Sequence, residues 1–210
     1  MGDGFPVFAE GQTGALFLPN LILFKILPPV TAYNAAHVFA LLTLAIGMYA
    51  LARTLGLGPA SSVFAAITVS FSGLSVTNLT HIALLQGMSL IPAIITLSIL
   101  TVRRRARPWG ALLSLILTQQ IFAGFPQSVL LAGLIASVFV LYELYRSRSL
   151  TQGVGWIFWI VLGLIGGAAQ LLPSYEFLQQ ITDPGGFSQS NATAYSMPIA
   201  HITSFFLPFP

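Results

Sequence analysis

Long apolar runs broken by short polar intervals dominate the chain. From Thr54 to Val102 there is no Asp, Glu, Lys or Arg, and Trp109 to Tyr142 and Ser149 to Tyr175 are likewise uncharged. Runs of this kind belong in a lipid bilayer. They lack the strict alternation of barrel strands, so helices that satisfy their own backbone groups are expected. As one helix, Thr54 to Val102 would be about 74 Å long, more than twice the roughly 30 Å hydrocarbon core, so it must turn back. The polar interval Ser72, Gly73, Ser75, Thr77, Asn78, Thr80, His81 is the natural turn. It divides the stretch into spans near 59–77 and 83–102, preceded by a span near 34–52 that ends at Arg53.

Charge decides the next stretch. Trp109 to Tyr142 could be one long tilted helix or two short ones broken at Gly124, Phe125 and Pro126. Two crossings place the cluster Arg103, Arg104, Arg105, Arg107 on the same side as Arg146, Arg148 and Arg53, whereas one crossing separates them. Arginines gather on the cytoplasmic side of membrane proteins, so two crossings are expected. A last span near 154–172 then exits. The fold class read from this pattern is all-α, a polytopic transmembrane helical bundle of about six spans. Residues 1–32 form an outer loop with an interfacial segment, 33–172 the six transmembrane helices, and 173–210 an outer-face tail. Ala15 to Pro29 is too short to span, is punctuated by Pro19, Pro28 and Pro29, and reads as interfacial or re-entrant.

Composition agrees with this reading. The 210 residues are 56% hydrophobic and 6% charged, against roughly a quarter charged in soluble domains. The net charge of +3 comes mainly from arginines at the ends of apolar runs, since seven of the eight basic residues are Arg. That is a topology signal and gives no reason to invoke nucleic acid. Cysteine is absent, which excludes disulfides and thiolate metal sites. No basic stretch precedes an apolar run at the start, so no signal peptide is read. An outer N-terminus with no inserted element before it predicts a fragment of a longer chain, as does the apolar, Pro-punctuated stretch Phe205 to Pro210.

Four groups of residues could carry chemistry on the outer face. Glu10 and Gln12 lie in the Gly-rich run Gly4 to Gln12, where a loop can bring its backbone close to a ligand; the plainer alternative is a solvated loop whose glycines serve turns. His81 is the only ionisable side chain between Thr54 and Val102, and ionisable groups at membrane depth are functional candidates, although at the interface a histidine can simply meet water. Gly124 to Gln127 breaks an apolar stretch at a proline, and the amides of a helix start suit phosphate; Gln119, Gln120 and Gln127 are close in sequence. The alternative there is a plain turn. Gln170, Tyr175 and Glu176 sit where the last span exits, as anchors or as ligands. Lys25 and His201 complete the outer-face cations. No nucleophile triad, nucleotide loop or metal-spaced cluster is present in the sequence.

In order along the chain, GFPVFAEGQTG, LPPVTAYN, GMYALARTLGL, SFSG followed by His81, AGFPQ, and AAQLLPSYEFL resemble the YfhO-like family of bacterial integral membrane proteins, relatives of glycosyltransferases of the GT-C fold. Where many relatives carry His or Tyr before Pro-Gln, this chain carries Phe125. The resemblance implies a GT-C-like bundle in the bacterial cytoplasmic membrane. It implies transfer of a sugar from a polyprenyl-phosphate carrier to an envelope glycan or protein acceptor on the extracytoplasmic face. Membrane lipid and the lipid-linked sugar are the implied partners. The catalytic acid is expected upstream of Met1, which leaves Glu10, Gln12, Lys25, His81, Gln127, Gln170 and His201 as substrate-binding candidates. No cofactor is identified, and a divalent metal is compatible with the class. A transporter or flippase-like protein is the main alternative, and a noncatalytic membrane scaffold a third.

Overall fold

A computed structural model describes residues 6–104 and 106–181. His201 and the tail from 182 onward lie outside the described residues, as do Gly4, Phe5 and Arg105. The described residues form only helices and their connections: α1 (Val7–Glu10), α2 (Leu18–Ile26), α3 (Pro29–Thr54), α4 (Pro59–Ser70), α5 (Gly73–Thr77), α6 (Ile82–Ser89), α7 (Ile91–Arg104), α8 (Arg107–Phe122), α9 (Pro126–Ser147), α10 (Leu150–Gly166) and α11 (Ala168–Ile181).

Four helical stretches are long and apolar enough to cross a membrane: Pro29–Thr54, Pro59–Thr77, Ile82–Arg104 and Pro126–Ser147. The bent pair α10 and α11 makes up to five. The expected count of six differs by α8, whose 16 residues rise only about 24 Å. The last span also departs from expectation. Instead of one helix over 154–172, the chain bends by 68° between α10 and α11. Gly166 and Gly167 stand at the bend, where added Cβ atoms would run into Thr118 and Ile121 of α8. Small residues there let the two helices approach closely before the chain turns.

Proline stands near the start of several of these helices. Pro19, Pro29, Pro59, Pro108 and Pro126 each occupy one of the first two helical positions, where no intrahelical N–H is needed. The reversal expected somewhere in Ser72–His81 falls at its end, over Asn78–His81. Ser72 instead caps α5, its hydroxyl accepting from the Ser75 amide at 3.4 Å, so α4 and α5 run on as one interrupted span.

The core is organised by small-residue stripes. On α3, Ala32, Ala36, Ala40, Leu44, Gly47 and Leu51 are buried, and on α9 Ser128, Ala132, Ala136, Val140 and Glu143 are. Spacings of three and four put each set on one helical face. Between them α7 is buried nearly all round, and its Ile94, Ile95 and Ile99 join Leu113, Leu117, Ala132 and Ala136 in the main core. On the outward faces, large residues such as Val38, Ile46, Phe64, Leu134 and Val138 are exposed. A bundle with a packed inside and an apolar outside is consistent with a multi-pass membrane protein.

α8 and α10 meet through hydroxyls and glycines. Ser114 Oγ donates toward the Trp159 carbonyl at 2.6 Å, and Thr118 Oγ1 toward that of Gly163 at 2.9 Å. Such close, hydrogen-bonded contacts are how helices associate where lipid removes the hydrophobic drive between them.

Candidate functional site

The described arginines collect at one end of the bundle. Arg103 donates to the Thr54 carbonyl at 2.7 Å and to Glu143 at 2.7 Å, so it ties the end of α7 to the ends of α3 and α9. Arg53 closes its own helix end on the Leu57 carbonyl, Arg104 lies over the Trp109 ring, and Arg107 starts α8. This arrangement requires the chain to reverse at Gly124–Pro126, as the charge pattern predicted. Glu143 was missed at the sequence level. It continues the buried stripe Ser128, Ala132, Ala136, Val140, a position that called for a partner.

The polar candidates gather at the opposite end, around the break between α8 and α9. Gly124 adopts φ +85° there, and a Cβ on it would fall on the Gly11 carbonyl oxygen. The N-terminal segment therefore crosses directly over the break. Three buried amides hold this crossing. Gln120, fully buried, donates to the Gly87 carbonyl at 2.9 Å and to that of Ser128 at 3.2 Å, joining α6 to the start of α9. Gln86 and Asn20 exchange hydrogen bonds of 2.6 and 3.1 Å, pinning α2 to α6. Gln170 donates to the Phe8 carbonyl at 2.9 Å, pinning α1 to α11. Gln119 accepts from the Leu18 amide at 2.9 Å, and Phe17 is buried against Leu90 and Ala123. The segment expected to be interfacial is thus plugged into the bundle by one aromatic ring, while Leu21, Ile22, Phe24 and Ile26 of the nine-residue α2 stay exposed.

Two cavities flank the crossing. One, of about 500 Å³, is lined by Gln12, Asn78, Thr80, His81, Ile82 and Phe125 among others. Its walls are an even mixture of polar and apolar groups. The other, of about 720 Å³, runs between α1, α9 and α11 and is mostly apolar, with Val129, Leu130, Leu164, Leu171 and Leu178 along it and Glu10, Gln12 and Gln170 at its polar rim. Gln12 borders both.

Four of the seven candidate residues therefore come together: Glu10, Gln12, His81 and Gln170. Gln127 does not join them. It follows Pro126 in the first turn of α9, is exposed and lines neither cavity, because the buried face of that turn belongs to Ser128. Lys25 is exposed in the last turn of α2 and also lines neither. Asn20 and Gln86 were not anticipated, since neither stands beside a helix break. Among the described residues no group of three His, Cys, Asp or Glu is placed to hold a metal ion.

His37 serves the frame of the site. Its ring nitrogens lie 2.8 Å from the Tyr33 carbonyl and 2.7 Å from that of Leu79, fixing the turn before His81 to α3. No family model, curated protein or solved structure matches the chain.

Proposed function

We propose that the paired cavities receive an amphipathic, lipid-linked substrate, and that the chain is the carrier-binding portion of a GT-C-type membrane glycosyltransferase. The supporting observation is the juxtaposition. An apolar groove of about 720 Å³ and a mixed polar chamber of about 500 Å³ share Gln12 as a common wall. A prenyl chain suits the groove, and a phosphate and sugar suit the rim and chamber. Sugars are held by amides, hydroxyls and imidazole, the types that Gln12, Asn78, Thr80 and His81 supply. In such a transfer a carboxylate takes the proton of the acceptor hydroxyl as that oxygen attacks the anomeric carbon, and the polyprenyl phosphate departs with the bonding electrons. Glu10 is assigned to binding here. Arg53, Arg103, Arg104, Arg107, Arg146 and Arg148 face the cytoplasm of a bacterial inner membrane in this reading. The cavities then open outward, and α8 crosses as a sixth, short span.

The test is transfer of labelled sugar from a polyprenyl-phosphate donor by the full-length, membrane-reconstituted protein that contains this portion. Gln12→Ala and His81→Ala are each expected to lower the rate by about tenfold, the loss of one hydrogen bond to a charged or transferring group. Leu171→Trp, which fills the groove, is expected to weaken long-chain donors and spare short-chain ones. Unchanged rates in all three remove the cavities from the reaction. The 68° break between α10 and α11 also suits a transporter, which substrate flux without bond formation would establish.

A further inference from the structure

At the arginine end, a cavity of about 440 Å³ lies between the ends of α7 and α9 and the start of α10, lined by Val102, Arg103, Glu143, Arg146, Ser147 and Gln152. Gln152 also borders a second cavity of about 200 Å³ that contains Arg107, Thr151 and Trp159. We propose that the larger cavity binds the phosphate of an anionic lipid headgroup. The proposal rests on the membrane reading of the bundle and is independent of glycosyl transfer.

Charge imbalance supports it. Among the described residues this end carries Arg53, Arg103, Arg104, Arg107, Arg146 and Arg148 against one acid, Glu143; Glu10 and Glu176 belong to the opposite end. Glu143 is committed to Arg103 at 2.7 Å. That pair is neutral together, and Thr54 holds its guanidinium in place from the other side. Arg146, on the turn after Glu143, therefore supplies net positive charge to the cavity with no acid there left to balance it. A phosphate fits that deficit, and an arginine fork recognises it well.

The surroundings favour a lipid as its source. Tyr142 and Tyr145 on the same turn of α9, and Leu150 and Val154 on the first turns of α10, are exposed. Aromatic rings beside apolar side chains mark the level where headgroups meet acyl chains. A headgroup seated at Arg146 would lay its chains along this face. Basic pockets between helices bind anionic headgroups by the same means.

Purified protein in neutral detergent, titrated with phosphatidylglycerol, phosphatidylcholine or inorganic phosphate, provides the test, with binding read by native mass spectrometry and by the unfolding midpoint. Phosphatidylglycerol is expected to bind about fivefold tighter than phosphatidylcholine, and Arg146→Gln to remove about that factor, as for one arginine near an anionic surface. Arg53→Gln removes the same charge at the same end, but Arg53 is bonded to Leu57 outside the cavity, so it is expected to leave the preference intact. Equal binding of the two lipids overturns the proposal, and does so on the native sequence even if the Arg146 variant fails to fold. Equal losses in the two variants reduce the effect to diffuse surface charge and also overturn it. A midpoint shift from inorganic phosphate as large as that from phosphatidylglycerol would reassign the cavity to a soluble anion.

Discussion

At the scale of single residues, Gly124 is the most constrained position. Its φ of +85° and its contact with the Gly11 carbonyl leave no room for a side chain. Gly124→Ala is expected to lower stability by about 1–3 kcal/mol, read as a lower unfolding midpoint, and to expose the N-terminal segment to protease before the bundle melts. Gly133, with open space around its Cβ, is the matched control and should accept Ala without loss. The amide pair Asn20 and Gln86 makes a second prediction. Asn20→Ala strands the buried Gln86 amide and should cost about 1–2 kcal/mol, and Gln86→Ala less, because the half-buried Asn20 keeps its bond to the Gly14 carbonyl. The double variant should cost less than the sum, and strict additivity would mean that the pair does not interact. Glu10, Gln12, His81 and Gln170 could be found from sequence because topology alone sends them to one end. The pairing of Asn20 with Gln86 could not. It joins residues 66 positions apart and depends on how deeply a short helix enters the bundle, which Phe17 decides.

Among the helices, the link between α7 and α9 is asymmetric. Arg103 is a third exposed and can hydrate if freed, whereas Glu143 is nearly sealed. Arg103→Ala should therefore destabilise by about 1–3 kcal/mol, below the value for a wholly buried pair because water reaches one partner. Glu143→Gln, which keeps an acceptor for the guanidinium, should cost under about 1 kcal/mol. The reverse ranking in thermal unfolding would count against this account. At the α8 and α10 interface, a Cβ on Gly163 would meet Leu117 at 2.9 Å and the Ser114 carbonyl at 3.0 Å. Gly163→Ala should then loosen α10 without disturbing α3. Helix positions were largely legible from the uncharged runs and from the break at Pro126, whereas the helix-starting roles of Pro19 and Pro29 were not. The α10 and α11 bend was not, because Gly166 and Gly167 read as ordinary small residues until Thr118 and Ile121 are seen against them.

For the whole molecule, the separation of an arginine end from an amide-rich end is the property that sequence conveyed most directly. Charge at helix ends is set by membrane sidedness and requires no knowledge of packing. Single cysteines at Thr80 and Ala106, introduced into this cysteine-free chain, should differ in labelling by an impermeant reagent in intact cells, with only the first reacting. The opposite pattern would invert the assigned sides. The larger groove was beyond reach of such reasoning, since its walls come from α1, α9 and α11 together and depend on a 68° bend. The hydrogen bond from Gln170 to Phe8 spans 162 positions, and that distance sets an order of events during synthesis. At about 5–20 residues per second, Phe8 waits roughly 8–30 s for the amide that fastens it. Helices α3 to α9 can be placed in the meantime, while Phe8 remains untethered to α11. The groove thus closes only after α3 to α9 have been made, and a ribosome that pauses before Gln170 leaves a packed bundle with one wall of the groove still missing.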